Sequence, residues 1–96
     1  MDIRSVRHRG LRRLIEQNNP RFLRQNLVDR VRKILTVPIL AEHIDGLIAG
    51  SPPGWRVHRL SGNRRDEWSI SVSANWRITF GEEDGYIDRL NLEDYH

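Results

Sequence analysis

Residues 67–80, EWSISVSANWRITF, constrain the fold more tightly than any other stretch of this chain. Read with a period of two, Trp68, Ile70 and Val72 fall on one face, and Ser69 and Ser71 on the other. After the polar break Ser73-Ala74-Asn75 the alternation resumes, with Trp76, Ile78 and Phe80 in line and Arg77 and Thr79 opposite. The pattern predicts two half-buried strands joined by a tight turn. One face is bulky and needs a cover. The other is small, hydroxylic and carries one guanidinium.

The cover is expected from the N-terminal half. Residues 2–6 alternate loosely and read as an opening edge strand. After Gly10, Leu11, Leu14 and Ile15 form an i, i+3, i+4 stripe that predicts a short helix ending at Asn18-Asn19-Pro20. Pro20 is then suited to open a second helix over residues 20–37, where Leu23, Leu27, Val31 and Leu35 recur every fourth residue and Pro38 provides a stop. Residues 39–48 can add a further helical turn. The Pro- and Gly-rich stretch 50–54 joins this helical half to a β half. There, residues 55–60 read as a strand, 61–66 as a polar loop, 81–85 as an acidic turn and 86–92 as a last strand. The expected fold is α+β: a small antiparallel sheet with two or three N-terminal helices packed on one face, in a single domain over residues 1–96.

Charge distribution narrows the partners. Residues 1–33 carry nine Arg and Lys33 against three acids, whereas residues 81–96 carry Arg89 against six. Fifteen of the sixteen basic groups in the chain are arginine, whose planar fork suits bidentate phosphate contact. There is no cysteine, which excludes disulfide scaffolds, thiolate zinc sites and thiol nucleophiles. No apolar run has the length of a membrane span, so the expected location is cytoplasmic.

Chemistry is sought among His58, Arg77, the Arg64/Arg65 loop and the terminal Asp94-Tyr95-His96. Cleaving RNA without a metal requires a base for a 2′-OH, an acid for the leaving 5′-oxygen, and a cation for the charge on phosphorus. Histidine and arginine supply those functions near neutral pH, and in a meander these residues can meet on one sheet surface. A metal trio of His58, Asp94 and His96 has no supporting ligand spacing. No cofactor or metal is expected. By residue type alone, a hydrogen-bonded structural His58, a solvated Arg77 and a frayed Asp94-Tyr95-His96 end are the commoner readings.

Four ordered stretches resemble one family. PGWRVHRL at residues 53–60, WSISV at 68–72, NWRITF at 75–80 and the final EDYH, with the opening RSVRHRGLRRL, are similar to HigB toxins of the RelE/ParE superfamily. The resemblance implies a ribosome-dependent endoribonuclease that cuts mRNA in the A site without a metal. It implies that His58, Asp94 and His96 are acid/base residues, that Arg77 binds phosphate, and that Tyr95 stacks or orients. Its implied partners are a HigA-like helix-turn-helix antitoxin, the 70S ribosome and mRNA, with DNA met only through the antitoxin and no membrane.

This chain departs from the family at Ser61, where members often carry a lysine. Arg64 and Arg65 are the expected replacements for the lost cation, because Arg59 alternates to the face opposite His58. Two other readings remain: a non-catalytic relative of the gyrase-poison type, and a basic RNA-binding module.

Overall fold

The computed structural model describes residues 1–94 of the 96. The central hairpin forms as its alternation predicts. β3 (Glu67–Ser71) and β4 (Trp76–Glu83) pair antiparallel, with Trp68 opposite Phe80 and Ile70 opposite Ile78. The turn between them is closed by the amides of Val72 and Ser73, both donating to the Trp76 carbonyl. β5 (Tyr86–Asp94) pairs with β4 through a two-residue Asp84-Gly85 turn. Both turn residues have positive φ, 53° and 81°, the geometry a tight hairpin with right-handed twist requires. β2 (His58–Arg59) closes one edge and β1 (Asp2–Ile3) the other, in the order β1-β5-β4-β3-β2.

The opening edge strand is present but parallel to β5, extended by an isolated bridge from Val6 to Leu90, so the sheet is mixed and not wholly antiparallel. A two-residue strand carries no orientation signal of its own. Its direction follows from the path that brings the next helix over the sheet.

Three helices cover the bulky face: α1 (Arg9–Gln17), α2 (Val28–Leu40) and α3 (Ile44–Gly50). His8 caps α1, its Nδ1 accepting from the Leu11 amide at 3.2 Å, and burial lowers its pKa and so favours the neutral ring that can accept. Gly10 lies inside the first turn, where a Cβ would strike the Phe22 carbonyl.

The second helix is shorter at its start and longer at its end than its leucine spacing predicts. Residues before Val28 form turns and a 3₁₀ segment, and Pro38 sits within the last helical turn, buried. Proline removes one donor there, a small loss so near the end. The carbonyls of Pro38 and Ile39 accept from the Met1 nitrogen at 2.9 Å each. The predicted strand over residues 55–60 contracts to β2, because Pro53–Trp55 makes a 3₁₀ turn and Arg56 adopts a left-handed φ of 50°.

Leu11, Val31, Ile34 and Leu47 from the helices meet Ile70, Ile78 and Phe80 from the sheet, all fully buried. Phe80→Ala is expected to lower unfolding free energy by about 3–5 kcal/mol. In urea titrations, a loss below about 1 kcal/mol would show that the helices and the hairpin do not share one core.

Candidate active site

Cross-strand partners share a face, so register decides what the open side of the sheet presents. His58 pairs with Ser69, Ser69 with Thr79, and Thr79 with Asn91, forming one row across four strands. Beside it runs a second row of Ser71, Arg77 and Glu93. His58 and Arg77 therefore stand on one surface, two strands and two residues apart. Ideal sheet spacings put their Cα atoms roughly 12 Å from each other, room for a phosphodiester between the two side chains.

His58 is exposed, and its Nδ1 lies 2.6 Å from the Arg56 carbonyl oxygen. A carbonyl only accepts, so Nδ1 carries the hydrogen. That fixes the tautomer and leaves the Nε2 lone pair facing outward, able to take a proton.

Glu93 dominates the rest of the surface. Its Oε1 accepts from Arg77 Nε and Nη2 at 3.1 and 3.0 Å, and from Arg64 Nη1 at 3.0 Å. Its Oε2 accepts from Arg64 Nη2 at 2.7 Å and Thr79 Oγ1 at 3.0 Å. Arg64 also reaches the buried Glu67 carboxylate through Nε and Nη2, at 3.0 and 3.1 Å. Hydrogen bonds from Arg64, then from Arg77 and Thr79, hold the Glu93 carboxyl down at about 2, against the opposing effect of burial. The bonds of Arg64 to Glu93 and then to Glu67 raise its own pKa above the ordinary value.

These placements sort the expected site residues. His58 and Arg77 are brought together. Asp94 is not with them: its register partner is Trp76, so it lies at the end of β5 on the opposite side of the sheet, and Glu93 takes the place on the open face. Arg64 reaches the site, but its guanidinium is shared by two carboxylates and is not the exposed replacement cation expected. Arg65 is exposed and lines a separate hollow with Gly62, Asn63 and Asp66 before β3. Tyr95 and His96 lie outside the described residues. Arg59 sits 5.6 Å from the Trp68 ring centroid, on the side away from His58, as alternation predicts. Among the described residues no cluster has the make-up of a metal site. Sequence pattern missed Glu93 because its identity as a hub depends on Arg64, 29 residues away; the only local signal was its parity with Asn91 on the last strand.

The chain matches, over residues 4–96, the family described as the RelE-like toxin of type II toxin–antitoxin system HigB. It belongs to the HigB-like toxin family. Endoribonuclease HigB of Proteus vulgaris is 38% identical over 94 residues, spanning 98% of this chain and 99% of that one. Among solved structures, YafQ from E. coli strain BL21(DE3) superposes with a TM-score of 0.58 at 11% identity, covering 97% of this chain and 91% of that one. A mutant of E. coli YafQ gives 0.55 at 14% identity with the same coverage. At those identities the structural likeness establishes a shared fold alone.

Removing Arg64 leaves Glu67 and Glu93 without their shared cation, so Arg64→Met is expected to cost about 2–4 kcal/mol of stability, whereas Arg65→Met stays within about 0.5 kcal/mol. Glu93→Gln tests the linkage by pH. A carboxylate whose pKa falls from 4.5 to about 2 on folding stabilises the native state above pH 4.5 and loses that contribution as pH falls toward 2. After discounting for solvent, the wild-type advantage over Glu93→Gln should be about 1–2 kcal/mol at pH 7 and should shrink across that window. An advantage that is constant with pH would exclude the ion-paired carboxylate.

Proposed function

We propose that this HigB-like toxin is an endoribonuclease that cuts mRNA on the ribosome, in the A site, and so arrests translation. The reading is carried by one juxtaposition: an exposed histidine, fixed with Nε2 free, shares an open sheet face with an arginine whose orientation is set by a carboxylate. The name of the Proteus vulgaris relative supports the same reaction class.

In the proposed step the 2′-oxygen attacks the adjacent phosphorus while its proton passes to His58 Nε2. The P–O5′ bond breaks, giving a 2′,3′-cyclic phosphate and a 5′-hydroxyl, and a tail group, His96, protonates the departing oxygen. Arg77 stabilises the charge that builds on the non-bridging oxygens. Tyr95 orients the substrate base beside it. Asp94 lies outside the His58–Arg77 surface and moves no proton in this scheme. The expected partners are a HigA-like helix-turn-helix antitoxin, which would bring the toxin to DNA, and the 70S ribosome with its mRNA.

Growth arrest and mRNA cleavage on translating ribosomes should fall about 10²–10⁴-fold for His58→Ala and for a chain lacking His96, and about 10²–10³-fold for Arg77→Ala. Full toxicity and cleavage in all three variants would end the catalytic assignment.

A further inference from the structure

The cation missing at Ser61 leaves a question that Arg64, held by Glu67 and Glu93, does not answer. A cleft of about 520 Å³ opens where the platform meets the β3–β4 turn. Its walls include Arg30 from α2, Trp55 and Arg56 from the segment before β2, and Ser71 and Ser73. Ser71 is the cross-strand neighbour of Arg77, so the cleft borders the open face at the sheet's end. No acidic residue lines it. Among the described residues no carboxylate forms an ion pair with Arg30 or Arg56. Arg30 is steadied by one bond, Nη1 to the Val72 carbonyl at 2.9 Å, which leaves its other donors for a ligand.

Arg56 has two roles in this geometry. Its carbonyl orients His58, and its side chain lines the cleft. The left-handed backbone at Arg56, uncommon for a residue with a side chain, closes the Pro53–Trp55 turn two residues before β2. Trp55 is half-buried in the same wall.

We infer that this cleft is a nucleotide subsite: a base of the RNA flanking the cleaved bond stacks on Trp55, and its phosphodiester is held by Arg56 and Arg30. The subsite deepens the ribonuclease reading and rests on it. An indole next to two arginines, in a groove without acids, is the combination that binds single-stranded RNA through base faces and backbone charge.

Two measurements separate the subsite from the reaction. In the first, a short 2′-O-methylated RNA, which cannot be cleaved, is titrated against the protein while tryptophan emission is followed. Wild type should bind with quenching, Trp55→Phe should lose most of the quenching while keeping much of the affinity, and Trp55→Ala should weaken binding roughly tenfold. Arg56→Gln and Arg30→Gln should each weaken it by about tenfold, and the double variant, which loses the one phosphate contact they share, should reduce the slope of log K against log salt by about 0.7. Equal binding by wild type and both arginine variants, or equal binding of an abasic analogue, would overturn the subsite.

In the second, mRNA cleavage on programmed ribosomes should show Arg56→Gln raising KM with kcat nearly unchanged, because the carbonyl that holds His58 is retained. Wild-type cleavage with an unaltered KM in Arg56→Gln and Arg30→Gln would also overturn the subsite. Absence of cleavage by wild type, with Trp55-dependent RNA binding intact, would instead sink the ribonuclease reading and keep the binding cleft.

Discussion

The carboxylate of Glu93 is the interaction on which the open face of this toxin depends. It accepts from two guanidiniums and a threonine hydroxyl, ties β5 to β4 and to the loop before β3, and does so above a sheet whose other side is packed with Ile70, Ile78 and Phe80. Apolar burial holds the two layers together without regard to direction. The Glu93 cluster adds direction. It fixes the lateral position of Arg77 relative to the row that contains His58. A cation held by a carboxylate is less available as a free charge and better defined in orientation.

The abundant arginines are not one basic face. Several are spent on aromatic surface: Arg4 over Tyr86, Arg13 by Phe22, Arg24 by Trp76 and Arg59 by Trp68, at 4.2–5.6 Å from the ring centroids. Such contacts shield half-exposed rings with apolar stem and delocalised charge. Arg64 and Arg89 serve in ion pairs with neighbouring carboxylates. Arg30 and Arg56 belong to neither group, and they line one cleft together.

The hairpin was legible in the chain because two runs of period two, separated by a polar break, leave little other choice. The Asp84-Gly85 turn was legible within its acidic stretch for a similar reason, being a local backbone requirement written in a dipeptide. Helix limits were less so. Pro20 and Pro38 look like punctuation, but tertiary packing and contacts to the helix end decide whether a proline near a terminus starts or stops anything. The parallel edge of β1 and the contraction of β2 depend on where distant segments run. In the site, His58 and Arg77 could be placed on one surface from alternation and strand order. Glu93 could not, since its three main donors come from the neighbouring strand β4 and from a loop distant in sequence, and the side of the sheet on which Asp94 falls depends on an irregularity within β5.

That irregularity is a bulge. Thr79 faces Asn91 but Gly81 faces Asp88, so β5 has one residue more than β4 across this span, with Arg89 at a left-handed φ of 50°. Ile87 and Leu90, an odd number apart, both reach the core as a result. The bulge works as a parity switch for everything downstream. With it, Asn91 and Glu93 look outward and Leu92 inward; a chain one residue shorter at this point would present Leu92 and Asp94 to the open face and bury the carboxylate that orients Arg77. Loops elsewhere in such a toxin can grow or shrink by a residue with local effect. Between the Asp84-Gly85 turn and the tail, length itself is part of the site.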